Sequence, residues 1–440
     1  MRRPAASARW VWVPLLLVAG SGAQAAERRR ALIIDIDGVR RDTFEQAYQA
    51  GTLPNFQRIL GGALWYDRAE SVLPTVTMAA QSSIFTGSAP AWHGIPGNSW
   101  FDRTTGRLYD YVSAGTAPCL YAFTLFGGGE CREGLLNRHL LAGTLYEAAA
   151  TAGLTSAVVF HPVWRGATRA VLPSLTDGLT LLDGNGLNFE AFDRMMAQRA
   201  ANFVAFEERT DILTVYFTGA DEIAHGHGIA AQPPYLATVV DPLVGRLADA
   251  LDARDRDWLA SAMIVVTSDH GRTDAAANPE DRTLSRDLAA ALGRAGFAEG
   301  QFRVAANGGM AYVYLKNGEE WEAMPAPETV DAVRREILAD PLLAKLVLEI
   351  RVRQSSDSAR WGDLSVFLKP SHYFGNTGAG SHHGNADILD LSVPLVVVRP
   401  GGPAGHTSLE ARITQVAGTV AEYLGFPLGG AEPALPVPPT

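Results

Sequence analysis

The sequence predicts an α/β fold: a doubly wound, mostly parallel sheet flanked by helices, interrupted by an inserted α+β cap subdomain. Three observations predict it. Short apolar runs bounded by turn residues recur along the chain, helical patterns alternate with them, and residues 273–374 break that alternation. With 440 residues, 47% of them hydrophobic and 19% charged, the chain has the apolar mass for a large core.

The elements follow in order. Arg2 and Arg3 precede an apolar stretch, residues 10–20, and Ala23-Gln24-Ala25 has the small-x-small form of a cleavage site. Residues 1–25 are therefore expected to be a signal peptide, because the apolar run is shorter than the ~20 residues of a membrane span. This implies a periplasmic or secreted protein with no stable membrane insertion after cleavage. One domain is expected over residues 26–430, with the cap, 273–374, inserted in it. Residues 31–36, 157–160, 212–217, 263–267 and 391–398 read as buried parallel strands. Helices are expected over 77–85, 144–152, 189–207, 236–251 and 409–423. Within the cap, 284–292 and 330–338 read as helices, and 304–315, 347–352 and 364–369 as strands. Residues 101–137 are Gly-rich and irregular, a second and smaller excursion. Export permits a disulfide between Cys119 and Cys131, the alternative being two separate thiols.

The chain carries 37 Lys+Arg against 47 Asp+Glu, a net charge of −10. Losing Arg2, Arg3 and Arg9 with the signal makes it −13 (34 basic residues against 47 acidic). That balance argues against binding a nucleic-acid duplex, which requires phosphate neutralisation. An anionic small substrate stays compatible, because a bound metal reverses the local sign.

In open α/β sheets ligands collect beyond the carboxyl ends of the strands. There, 31–36 leads into Asp37-Gly38, 212–217 into Asp221-Glu222-Ile223-Ala224-His225, and 263–267 into Ser268-Asp269-His270-Gly271. His382-His383-Gly384 precedes 391–398. Any one of these is most simply a turn or a cap. Together they bring carboxylates and imidazoles to strand ends from distant segments, a donor set that suits zinc and related divalent ions. Pro74-Thr75-Val76-Thr77 precedes a helical pattern. A hydroxyl at a helix N-terminus sits in positive potential, although an ordinary N-cap explains either threonine taken alone. His93, His139, His161, His227 and His406 have no partner pattern and read as ordinary histidines.

With these residues assembled, the chain resembles the alkaline phosphatase superfamily, and most closely its type I phosphodiesterase/nucleotide pyrophosphatase branch. The resemblance rests on Asp37-Gly38-Val39-Arg40-Arg41-Asp42 after a strand, Leu53-Pro54-Asn55-Phe56, Pro74-Thr75-Val76-Thr77 with Thr86-Gly87, and His93-Gly94-Ile95-Pro96-Gly97-Asn98. It implies that Thr77 is the nucleophile and that Asn98 donates to a nonbridging phosphate oxygen. It implies two Zn2+, or other divalent transition metals, one held by Asp37, Thr77, Asp269 and His270 and the other by Asp221, His225 and His383. His383 is preferred because Gly384 follows it, with His382 the alternative. The expected partner is a small phosphate ester such as a nucleotide, hydrolysed through a phospho-threonine.

Ala224 stands where the family often has Gly, a change that metal binding should survive. Related phosphomonoesterases carry Lys-x-Arg in a loop after a strand; here Val163-Trp164-Arg165 keeps only Arg165, which is expected to touch substrate or to be a surface arginine. The missing lysine favours a diester over a phosphomonoester, with the phosphomonoesterase and a phosphoryl-alcohol transferase as alternatives on the same scaffold. A non-catalytic binding protein is the rival from another class, disfavoured because every ligand type is present. No Cys-x-Pro-x-Arg, G-x-S-x-G or H-E-x-x-H pattern occurs. Trp100, Tyr109, Tyr111, Trp321 and Tyr373 are expected either to stack on a base or, more simply, to pack the core.

Overall fold

Three runs of β-branched and apolar residues make the centre of the structure: Arg30–Ile36, Ile212–Phe217 and Ala262–Thr267 pair in parallel, with the first in the middle. The computed structural model describes residues 29–438 except 114–115, 122–130, 175–176, 178–181, 184–185, 207–209, 277–283 and 376–379. The expected signal and part of the irregular 101–137 segment thus lie outside the described residues.

The sheet has eight strands, in the order Gly405–Arg412, Leu64–Glu70, Leu395–Val398, Ala262–Thr267, Arg30–Ile36, Ile212–Phe217, Ser156–Val159 and Arg169–Val171. Alternate residues of one strand serve different layers. Ala31 and Ile33 pack with helices Thr77–Thr86, Leu145–Thr151 and Gln415–Leu424, while Leu32 and Ile34 pack with Arg41–Gln49, Phe189–Phe206 and Asp241–Arg254. Each fully buried aliphatic side chain contributes roughly 1.5–3 kcal/mol relative to exposure. Coverage on both faces explains why these strands read as continuous apolar runs.

Three expectations are corrected. Residues 391–398 are not one parallel strand: Ile388–Leu391 is a short helix capped by Asp387, and Leu395–Val398 runs antiparallel to both neighbours. Burial on two faces leaves the same apolar signature whichever way a strand points. Residues 409–423 are not one helix; Leu409 lies in the strand Gly405–Arg412, and the helix is Gln415–Leu424. Residues 304–315 are a hairpin, Phe302–Asn307 with Met310–Leu315, turning at Gly308-Gly309 where Gly308 has φ +63°. Leu64–Glu70, second from one edge, and Arg169–Val171, at the other edge, were not foreseen, being short of buried residues on one face.

That hairpin belongs to a four-stranded antiparallel sheet, completed by Leu364–Leu368 and Val347–Val352. Helices Leu284–Arg294 and Pro327–Ala339 cover one side of it and share a core of their own. Asn307, at the end of the hairpin's first strand, accepts from Ser99 N and donates to Ser99 O, both at 2.9 Å. It thereby ties the cap to the segment that carries Asn98. Cys119 and Cys131 form a disulfide.

Candidate functional site

The antiparallel direction of Leu395–Val398 explains why residues preceding one strand meet residues following three others. Its N-terminal end lies at the edge where the parallel strands have their C-terminal ends. His383 thereby reaches the edge that holds Asp37, Asp221 and Asp269.

Asp37 leaves the strand end into Gly38, whose φ of +64° lets the backbone turn beside Asp221; a side chain there would overlap the Asp221 carboxylate. Asp269 Oδ1 accepts from Gly38 N at 3.0 Å and His270 N at 2.9 Å, leaving Oδ2 buried with no hydrogen-bond partner among the described residues. His270 Nε2 lies 3.6 Å from Asp37 Oδ1, 3.5 Å from Asp269 Oδ2 and 3.3 Å from Thr77 Oγ1. Thr77 begins the helix Thr77–Thr86, and its neighbour Met78 donates its N–H to Asn98 Oδ1 at 2.8 Å.

Asp221 and His225 lie one turn apart on the helix Gly219–His227, with Nε2 3.0 Å from Asp221 Oδ2. His383 Nε2 lies 3.9 Å from Asp221 Oδ1, and its ring stacks on His270 at 3.7 Å between centroids. Two groups with metal-ligand spacing result, Asp37/Asp269/His270 and Asp221/His270/His383, and they share His270; a third joins His225, His382 and His383.

The donor chemistry fits divalent ions. Nδ1 of His225, His270 and His383 each lies 2.9–3.0 Å from a backbone carbonyl, of Ser381, Gly271 and Thr75 respectively. Donation there fixes the tautomer and leaves each Nε2 lone pair facing the carboxylates. His382 is arranged oppositely: its Nδ1 accepts from His383 N at 2.9 Å, which puts the proton on Nε2. Among the described residues, Asp37 Oδ1, Asp221 Oδ1 and Asp269 Oδ2 are buried without hydrogen-bond partners. Three carboxylates converging in this way are costly unless a cation lies among them.

Electrostatics follow from that crowding. Burial, then Asp269 and Asp221, push Asp37 well above the usual carboxylate range, against a hydrogen bond from the Tyr216 hydroxyl. Burial also pushes Asp221 up, but the Arg272 guanidinium 3.1 Å away, with His225 and His383, holds it well below that range. Burial lowers His225, and the Asp221 carboxylate outweighs it to give a net rise. Burial and His270 hold His383 well below the usual imidazole value. Burial and Asp221 push Glu222 up to about 7.

Beside these groups opens a cavity of about 880 Å³, of the size that takes a small ligand. Asp37, Thr77, Asn98, Asp221, His225 and His383 line it. Arg165 is not brought to the site. Its guanidinium donates to the carbonyls of Asn137, Leu140 and Ala142 and pairs with Glu147, so it braces a loop instead of facing the cavity. Of the aromatics, Tyr111 lines the cavity, whereas Trp100 is buried against Tyr109, Trp321 packs on Phe101, and Tyr373 stacks on His382.

Sequence reasoning missed four supports. Arg272 is fully buried and also donates to Asp221 O at 2.6 Å; it directly follows the Asp-His-Gly segment, but arginines are rarely buried and it was passed over. Tyr216 holds Asp37. Asp193 receives Thr218 N and Gly219 N at 3.1 Å and the Tyr235 hydroxyl at 2.9 Å, fixing the start of the helix that bears Asp221. His161, read as an ordinary histidine, lies 3.4 Å from buried Asp35, beneath Asp37 on the same strand face. His406 forms a separate surface group with Glu45 and Asp67.

A mostly parallel α/β sheet with a carboxylate–imidazole cluster and a helix-borne threonine at its C-terminal edge defines the class of alkaline-phosphatase-like phosphoesterases. Residues 31–385 match the type I phosphodiesterase/nucleotide pyrophosphatase family, and the chain belongs to that family. It is similar to alkaline phosphatase PafA of Elizabethkingia meningoseptica, 33% identical over 104 residues, which cover 22% of this chain and 19% of that protein. Alkaline phosphatase PhoV of Synechococcus elongatus is 40% identical over 115 residues, 25% of this chain and 19% of that one. An uncharacterized pyrophosphatase/phosphodiesterase of Schizosaccharomyces pombe is 24% identical over 245 residues, 54% of this chain and 44% of that one. The chain thus spans less than half the length of each of these relatives. Murine ectonucleotide pyrophosphatase/phosphodiesterase 5 shares the fold, with a TM-score of 0.63 at 16% identity over 92% of this chain and 97% of that one. An inactive form of the same murine protein, in complex with AMP, matches equally well at a TM-score of 0.63.

Proposed function

We propose that this chain is an exported two-metal phosphodiesterase that hydrolyses phosphate diesters through a covalent intermediate on Thr77. Asp37, Thr77, Asp269 and His270 would hold one Zn2+, and Asp221, His225 and His383 the other. His383 is chosen over His382 because only its Nε2 lone pair is free to ligate. When bound, such ions supply Lewis acidity that lowers the pKa of the threonine hydroxyl and offsets the charge of the substrate. Thr77 Oγ1 bonds to phosphorus as the P–O bond to the leaving alcohol breaks, and water then cleaves the Thr77 ester. Asn98 accepts from Met78 N through Oδ1, which leaves its amide N–H groups to donate to a nonbridging oxygen. The N-terminus of the ten-residue helix that begins at Thr77 adds positive potential.

The observation that carries the diester reading is the cavity lining. Among the described residues it contains no lysine or arginine. A monoester dianion brings one more negative charge than a diester and meets no lysine or arginine among the described lining residues. Location in the periplasm or outside the cell rests on the N-terminal sequence pattern. Among the described residues no helix is long and apolar enough to cross a membrane.

The test is Thr77→Ala in zinc-loaded protein with bis(p-nitrophenyl) phosphate. Turnover should fall by about 10³-fold or more, and acid-quenched unmodified protein should carry an adduct on the peptide containing Thr77. Full turnover by Thr77→Ala would overturn the assignment.

A further inference from the structure

The cap sheet has a second face. Helices Leu284–Arg294 and Pro327–Ala339 cover one side; the other carries Met310, Tyr312, Tyr314 and Phe367, with Trp361 packed against them. Tyr312 lies opposite Ser365, and Ser365 opposite Arg351, so these three side chains share that second side. A cavity of about 190 Å³ opens there, lined by Arg351, Arg353, Trp361 and Ser365 and by Leu73 and Pro74 of the large domain. It shares no lining residue with the cavity beside the Asp/His cluster.

This second cavity is rich in donors that lack acceptors. Arg353 is more than nine-tenths buried; its Nη2 pairs with Asp363 Oδ1 at 3.1 Å, and its Nε has no partner among the described residues. Arg103 Nη2 takes the same Asp363 oxygen at 3.0 Å, so two buried guanidiniums have one carboxylate between them. Trp361 Nε1 is also buried without a partner among the described residues. Arg351 pairs with Glu349 at 2.5 Å and lies over the Phe367 ring. Asp357 is the carboxylate among the described lining residues, and its Oδ2 accepts from Gln354 N at 2.7 Å. Buried N–H groups left unpaired cost free energy that an acceptor-rich ligand recovers, most of all a charged one.

We propose that this second cavity binds a small organic carboxylate. The carboxylate oxygens accept from the Arg351 and Arg353 guanidiniums and from Trp361 Nε1–H. The body of the ligand packs on Leu73, Met310 and Phe367, which line the same space. The volume is below the roughly 300–1,000 Å³ of sites for larger ligands, so the occupant has few heavy atoms. A bare inorganic oxyanion would leave the apolar lining uncovered. The wall at Pro74 adjoins Thr75, whose carbonyl lies 2.9 Å from His383 Nδ1, so the ligand sits behind the segment that leads to Thr77.

The experiment titrates benzoate, its neutral isostere benzamide, and sulfate into the protein by calorimetry, in zinc and again after chelation. Chelation separates this cavity from any anion binding that needs metal at the Asp/His cluster. Benzoate should bind one site per chain in both states, about tenfold tighter than benzamide, and tighter than sulfate. Arg351 is exposed and Trp361 half-buried, so Arg351→Met and Trp361→Phe should stay folded by circular dichroism. Each should weaken benzoate by about fivefold or more. Asp357→Asn, which removes a negative charge from the lining, should tighten it. No benzoate binding, binding lost on chelation, or wild-type affinity in both folded variants overturns the proposal. Sulfate binding as tightly as benzoate also overturns it, because the apolar lining would then contribute nothing.

Discussion

Replacing Arg272 by Met tests how the charge of the site is held. The guanidinium is fully buried, pairs with Asp221 Oδ1 at 3.1 Å and donates to Asp221 O at 2.6 Å. Methionine fills similar volume without charge, so Asp221 is left buried and unpaired in the metal-free protein. Removing one partner of such a pair costs about 3–5 kcal/mol. Because the folded state holds Asp221 below its unfolded value, its stabilisation is present above about pH 4 and lost as pH falls through the lower folded pKa. The variant should lose that stabilisation, and with it part of the acid limb of the stability profile. Divalent ions would take over the guanidinium's role, so the cost should be smaller, by roughly half or more, when the site is loaded. Urea denaturation at pH 7, with and without zinc, measures both quantities. An unchanged midpoint in stripped protein, or a larger loss in loaded protein, would refute the reasoning.

Two further outcomes follow. Asp193→Asn should cost about 1–2 kcal/mol, since the carboxylate receives two backbone N–H groups at the helix that bears Asp221. Burial pushes Asp193 up to about 7, so its contribution is fullest below about pH 4 and declines as pH rises to 7. The difference between wild-type and variant stability curves should therefore slope over that window, and parallel curves would contradict the burial argument. Gly38→Ala should abolish tight zinc binding by calorimetry, because its added methyl overlaps the Asp221 carboxylate at a positive-φ position. Wild-type zinc affinity in this variant would mean that Asp221 is not held where the structure places it.

The fold was legible where burial is symmetrical. Ile33, Ile34, Val215 and Val265 announce central strands because both faces are covered. That same symmetry hides direction, so nothing in Leu395–Val398 reveals that it runs against its neighbours. Peripheral strands failed for the opposite reason, since Leu64–Glu70, second from the edge of the sheet, alternates buried and exposed residues over too short a span. At the site, Asp37, Asp221 and His270 could be read because strand ends are where ligands collect. Arg272, Tyr216 and Asp193 could not, because each acts through a partner distant in sequence. Arg165 misled because a motif position fixes residue type but not where the guanidinium finds its acceptors.

The most direct test of the central claim is the ratio of turnover for bis(p-nitrophenyl) phosphate against p-nitrophenyl phosphate, on zinc-loaded protein with a chelated control. A cavity without a lysine or arginine among its described lining residues predicts a strong diester preference that the chelator abolishes. A strong monoester preference would contradict it.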